Sequence, residues 1–224
     1  MGSSPRSALT PIQTELLEAL FAREDGFFLS GGAALAGYHL GHRATDDLDL
    51  FTPDREAFER GRFALRDAAA SIGAGLEVRQ EAPGFLRLVA SRGEEAVVVD
   101  LVLDPVPQRV AEKPIVGGIR VDPPEEIVAN KLAALAGRAE TRDLVDLLFL
   151  ERAGYGIEEA LDAALAKDGG ATPAAISWAL SELHLPEGVT LPAGVPASEL
   201  RAFRDALVRR LRSSAYPGRP PEPR

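Results

Sequence analysis

Asp47 and Asp49 alternate with Leu48, Leu50 and Phe51 in the run Asp46–Phe51. In an extended strand that alternation throws both carboxylates onto one face, while Leu48 and Leu50 turn to the core. Like charges so close repel, and a divalent cation between them removes the penalty. An oxygen-only pair without thiols suits Mg²⁺. About fifteen residues upstream the apolar run Phe27-Phe28-Leu29 leads into Ser30-Gly31-Gly32 and a short Ala/Leu helix. A glycine turn at a helix N-terminus exposes N–H groups, and the helix dipole attracts phosphate. Two glycines after a strand are, by themselves, only a tight turn. Ahead of a paired-carboxylate strand they become candidate phosphate binders, with the Ser30 hydroxyl beside them. The combination is that of nucleotide chemistry.

Asp100 is the third candidate. It interrupts the apolar run Val97-Val98-Val99-Asp100-Leu101-Val102, where an unpaired buried carboxylate is costly. It either caps a turn or pairs with an arginine, or it joins Asp47 and Asp49 at a metal. Asp104 precedes Pro105 and suits a turn. By alternation Asp46 points away from the pair. Arg43 has two readings, a phosphate contact or a brace for the acidic strand through Asp46. His42 reads as structural, since three scattered histidines make no His-based metal site.

Gly-Gly, a helix, then His-Arg-x-Thr-x-Asp-Leu-Asp-Leu-Phe resembles the AbiEii/AbiGii-type nucleotidyltransferases, relatives of the polymerase β superfamily that include toxins of toxin–antitoxin pairs. A second block, Glu125–Leu150, resembles the family's lysine-bearing helix followed by Arg-Asp-x-x-Asp. The resemblance covers about residues 25–152. It implies an α/β fold, a polymerase β-like core of a small mixed sheet with flanking helices, plus a C-terminal helical domain. It implies two Mg²⁺ ions held by Asp47, Asp49 and Asp100, with Asp100 drawing the proton from the attacking hydroxyl. Ser30, Gly31, Gly32 and Arg43 are then nucleotide-binding. Lys131 reaches the phosphates across a cleft between the domains, and Asp143, with Asp146 behind it, orients Lys131. On spacing alone Lys131 could instead snorkel to solvent, and Asp143 and Asp146 could serve the helix dipole or pair with Arg138 or Arg142. Ala33 stands where the family often has Thr or Ser, which removes one phosphate hydrogen bond.

The elements that must position these residues follow from the pattern. A helix opens at Thr10-Pro11, and strands fall at 27–30, 46–51, 76–80, 85–90 and 96–103. A helix from Pro53-Asp54 to about Gly73 offers Phe58, Phe63 and Leu65 as inward residues. Beyond Pro123 the chain turns helical, at about 124–137, 141–152, 157–167, 172–183 and 197–213. This gives an α/β domain over 1–121, a helical domain over 122–213 that completes the nucleotide cleft, and a proline-rich, disordered tail over 214–224. Trp178 reads as core, and the arginines of the last helix as a solvated face open to RNA or a partner.

The 224 residues include no cysteine and carry a net charge of −9, against a generic nucleic-acid coat and for a cytoplasmic protein. No run is long and apolar enough for a membrane span, and the N-terminus lacks a signal-peptide core. The expected reaction is Mg²⁺-dependent transfer of an NMP from an NTP to an acceptor hydroxyl. A tRNA 3′ end is one candidate acceptor, a small-molecule or protein hydroxyl another, and a cognate antitoxin is the expected protein partner. Two alternatives stand beside it: a catalytically idle nucleotide-binding protein of the same fold, and a kinase-like phosphotransferase.

Overall fold

The computed structural model describes residues 8–185 and 190–215. Two compact units emerge: Met1–Val106 with Val110–Pro123, and Pro107–Arg109 with Pro124–Arg224.

In the first unit, Thr10 caps helix α1 (Pro11–Phe21) in a capping box with Gln13, which satisfies two of the helix's orphan donors reciprocally. Gln13 also donates Nε2–H to the Thr45 carbonyl at 2.8 Å, tying α1 to the segment before the acidic strand. Strand β1 (Phe28–Ser30) runs directly into a helical turn α2 (Gly31–Ala34), which continues as π-helical turns to Leu40. Strand β2 (Asp47–Thr52) follows, then helix α3 (Arg55–Ser71). Strands β3 (Gly75–Ala82), β4 (Phe85–Arg92) and β5 (Glu95–Leu103) form a meander. Its two tight turns place Gly84 and Gly93 at positive φ, where a Cβ would be strained. A small hairpin, β6 (Ile115–Val116) with β7 (Ile119–Arg120), is an element that sequence patterning does not show.

The sheet is mixed, in the order β1-β2-β5-β4-β3. The β2–β5 ladder is parallel; the β1–β2, β3–β4 and β4–β5 ladders are antiparallel. Leu48, Leu50, Leu86, Leu88, Val97, Val99 and Leu101 are buried, and the paired register puts them on one common face. α3 lies close on that face: a Cβ at Gly61 would come within 2.4 Å of the Phe27 ring, and the Leu101 side chain is 3.6 Å away. The inward stripe of α3 is Ala57, Gly61, Leu65, Ala68 and Ala69. Phe63 is off that stripe and exposed, contrary to expectation, with the Arg66 guanidinium over its ring.

The second unit is helical: α4 (Pro124–Gly137), α5 (Thr141–Arg152), α6 (Leu161–Lys167), α7 (Pro173–Glu182) and α8 (Ala197–Ala215). Ser214 and Ala215, read from the sequence as tail, are the last residues of α8; residues 216–224 lie outside the described residues. Trp178 is 68% exposed rather than core. α7 buries Ile176, Ala179 and Leu180, and a residue two positions from Ile176 and two from Leu180 falls on the opposite side of a 3.6-residue helix. No described helix is long and apolar enough to cross a membrane.

Candidate active site

The face of the sheet opposite α3 carries the chemistry. Asp49 stands beside Asp100 in the parallel β2–β5 register, Asp100 faces Arg87 across β4–β5, and Ser30 faces Asp49 across β1–β2. One row thus runs across four strands as Ser30–Asp49–Asp100–Arg87. Asp47 sits two residues from Asp49 on the same side, with its Oδ1 accepting from the Thr45 hydroxyl at 3.0 Å.

Gly31 has φ +62°, and a Cβ there would sit 2.1 Å from Asp49 Oδ2. The glycine is therefore fixed twice, by its left-handed backbone and by the approach of the carboxylate. At Gly32 a Cβ would lie 2.5 Å from Arg43 Nη2 and 3.3 Å from the Thr45 hydroxyl. Arg43 accordingly lies over the glycine turn, and it donates to the Ala44 carbonyl at 3.0 Å. The four residues expected at the nucleotide, Ser30, Gly31, Gly32 and Arg43, are together with Asp49.

Behind the turn lies a polar network that the sequence reading missed. Ser30 is buried and donates its hydroxyl proton to Asp122 Oδ2. The Asp122 N–H donates to the Leu29 carbonyl at 2.8 Å, and His39 Nε2 lies 2.7 Å from the Asp122 carbonyl. Lys113 Nζ is 2.8 Å from Asp122 Oδ1, both side chains being buried, and it stands 4.7 Å from the centre of the Phe28 ring. The network clamps the end of β1 and commits the one proton of Ser30.

Asp100 is engaged from the other side. Arg87 grips it with both prongs, Nε to Oδ1 at 2.8 Å and Nη2 to Oδ2 at 2.6 Å. Asp100 is buried, whereas the Arg87 side chain is 45% exposed. The hydrogen bond to Asp100 leads in raising the Arg87 pKa; desolvation opposes it, and the charges of Asp49 and Asp47 add to the rise.

These residues can be tested against a divalent cation. Asp47 and Asp49 fit one in kind and place: all-oxygen donors that the β2 alternation sets on one face, beside the Gly31 turn. Asp100 fits in kind only, since both its oxygens point to Arg87. Among the described residues no three acidic or histidine side chains stand positioned to hold a metal ion.

In the second unit, α4 and α5 bring together Lys131, Asp143 and Asp146. The Lys131 ammonium is buried, 2.6 Å from Asp143 Oδ1 and 2.8 Å from Asp146 Oδ2. Burial acts to lower its pKa, but Asp146 and Asp143 outweigh it and hold the ammonium above its ordinary value. Asp143 Oδ2 is buried with no hydrogen-bond partner among the described residues. Arg138 and Arg142 both pair with Glu140.

Residues 15–218 match the family described as nucleotidyl transferase AbiEii toxin, type IV toxin–antitoxin system. The chain belongs to the AbiEii nucleotidyltransferase toxin family. Among solved structures it resembles JHP933 from Helicobacter pylori, at 23% identity and a TM-score of 0.52, over 90% of this chain and 91% of that one. A further H. pylori crystal structure, described as that of a candidate nucleotidyltransferase, matches at 20% identity and a TM-score of 0.52, over 91% of this chain and 95% of that one. The nucleotidyltransferase toxin MenT4 from Mycobacterium tuberculosis H37Rv matches at 18% identity and 0.50, over 89% and 80%. At these identities the likeness is one of fold. No curated protein matches the chain. As an AbiEii-family member the protein is a nucleotidyltransferase, and the glycine turn and Asp47–Asp49 strand described above fall inside the matched region.

Proposed function

We propose that this family member transfers an NMP from an NTP to an acceptor hydroxyl in a Mg²⁺-dependent reaction, as the toxin of a cytoplasmic toxin–antitoxin pair. The observation that carries the reading is the convergence of the Gly31-Gly32 turn, Arg43 and the Asp47/Asp49 pair at one end of β1 and β2. Asp47 and Asp49 would hold the ion. When bound, Mg²⁺ neutralises charge on the phosphates and on the departing pyrophosphate.

The chain's own residues do the rest. The Gly31-Gly32 backbone and Arg43 bind the phosphates, and the Ser30–Asp122–Lys113 network holds that turn in shape. The acceptor oxygen attacks the α-phosphorus, the bond to the β-phosphate oxygen breaks, and pyrophosphate leaves. Asp100, beside Asp49, takes the acceptor's proton. Lys131, set by Asp143 and Asp146, is assigned to the triphosphate. The unpartnered Asp143 oxygen supports a functional triad over a purely structural one, because a buried carboxylate oxygen without a donor is costly. The acceptor we favour is an RNA 3′ hydroxyl, with tRNA as the first candidate.

One observation favours the idle reading: both Asp100 oxygens are already bonded to Arg87. Incubation with α-labelled and γ-labelled NTPs and an RNA pool decides. Label from the α-phosphate on RNA, with pyrophosphate released, supports nucleotidyl transfer. Label from the γ-phosphate with NDP released means a phosphotransferase. Neither product, with NTP and Mg²⁺ still raising the melting temperature, means a binding protein.

A further inference from the structure

Arg87 belongs to no motif of the nucleotide site, yet it makes the most complete contact in it. Its two donors meet the two oxygens of Asp100 in parallel, the strongest arrangement open to a carboxylate–guanidinium pair. Asp100 is buried and Arg87 is 45% exposed, so the carboxylate is fixed while the guanidinium keeps a route to solvent. The Arg87 guanidinium also packs 5.6 Å from the centre of the Phe85 ring, two residues away on the same side of β4. Next along the row stands Asp49, and Asp47 lies close enough for its charge to act on Arg87. Three carboxylates thus share one face, and the guanidinium occupies the third.

We infer that Arg87 is the positioning residue of Asp100, an internal counter-ion that holds this carboxylate and with which a divalent cation must compete. The inference rests on the reading of Asp47, Asp49 and Asp100 as the ion's carboxylates. Without Arg87, Asp100 would stand beside Asp49 without the guanidinium that offsets its charge, an arrangement that like-charge repulsion disfavours. With it, Asp100 is already oriented and neutral in sum, and the energy of breaking a bidentate pair is subtracted from metal binding. Arg87 then sets the concentration of divalent ion at which the three-carboxylate site assembles.

The test is Mn²⁺ binding to the full chain, read by the loss of free-ion electron paramagnetic resonance signal. Arg87→Met should tighten Mn²⁺ binding about tenfold, the effect of removing one charge at hydrogen-bonding distance from an ionic equilibrium. In an Asp100→Asn background the same substitution should change affinity by less than about twofold, because the competition no longer exists. Arg87→Lys should fall between wild type and Arg87→Met, since a point charge cannot reproduce the two-pronged grip. Should Arg87→Met fail to fold, Arg87→Lys carries the same comparison in both backgrounds. Equal gains in the two backgrounds would reduce Arg87 to a general charge effect and overturn the inference, as would unchanged affinity while Asp47→Ala abolishes binding. A wild-type protein that binds no Mn²⁺, with Asp47→Ala indistinguishable from it, would instead sink the metal reading and the inference with it.

Discussion

Gly31 and Asp49 exclude each other's neighbours: the space a side chain at position 31 would fill already holds a carboxylate oxygen of Asp49, 2.1 Å from where the Cβ would be. Backbone and carboxylate come together because Ser30 and Asp49 are partners in the β1–β2 ladder, so the residue after Ser30 turns directly over Asp49. The glycine thus couples the phosphate turn to the metal strand.

Gly31→Ala should therefore remove activity without removing the fold. The left-handed backbone alone costs about 1 kcal/mol for a residue with a Cβ, and the clash displaces either the turn or Asp49. Transfer activity should fall to background, while the far-ultraviolet circular dichroism stays that of wild type and the melting temperature drops by several degrees. Near-normal turnover in Gly31→Ala would disconnect the turn from the reaction.

Lys131 makes a stability prediction with a definite sign. Its folded pKa lies above the unfolded value of about 10.4, so its contribution is complete below that pH and is lost as pH rises through the folded value. Lys131→Met removes the ammonium that pairs with the buried Asp143 and Asp146, and should cost about 3–5 kcal/mol at pH 7. The stability gap between wild type and Lys131→Met, measured by urea denaturation, should narrow as pH is raised toward 11. Adding Asp143→Asn and Asp146→Asn should recover most of the loss at pH 7. A tolerated Lys131→Met would mean that the Lys131–Asp143–Asp146 cluster contributes little to stability.

Trp178 is the sole tryptophan, so fluorescence reads its surroundings without ambiguity. At 68% exposure its emission should be that of a hydrated indole, and acrylamide should quench it nearly as well as free tryptophan. Ser181, one turn along α7, accepts from Arg212, so iodide should quench better than caesium. A blue-shifted, shielded emission would mean that another surface covers α7.

The glycine turn, the acidic strand and the helix over Pro124–Gly137 were legible because each carries a local signal, a period, a cap or a turn residue, whereas the mixed sheet was expected only from the family resemblance. Arg87 was missed for want of register. The two-residue turn at Gly93-Glu94 pairs Arg92 with Glu95, and five steps back along one strand and five forward along the other reach Arg87 and Asp100. Ending the strand at 90, as the sequence reading does, discards that information. The Ser30–Asp122–Lys113 network has no comparable signal, because its members are brought together only by the tertiary course of the chain. Phe63 and Trp178 were misplaced by letting side-chain type outweigh helical phase.

The parallel pairing at the centre of the sheet also bears on how the site comes into being. The β4–β5 hairpin is local, and hairpins of this kind close on the microsecond scale. The β2–β5 ladder joins distant parts of the chain and must await closure of a long intervening segment. Arg87 and Asp100 therefore meet in the fast step, and Asp49 arrives in the slow one. When the acidic strand docks, the carboxylate it must lie beside has already been neutralised by its own hairpin. In Arg87→Met the docking strand would meet a bare charge, and refolding should slow in proportion to how much of the β2–β5 ladder is formed at the barrier.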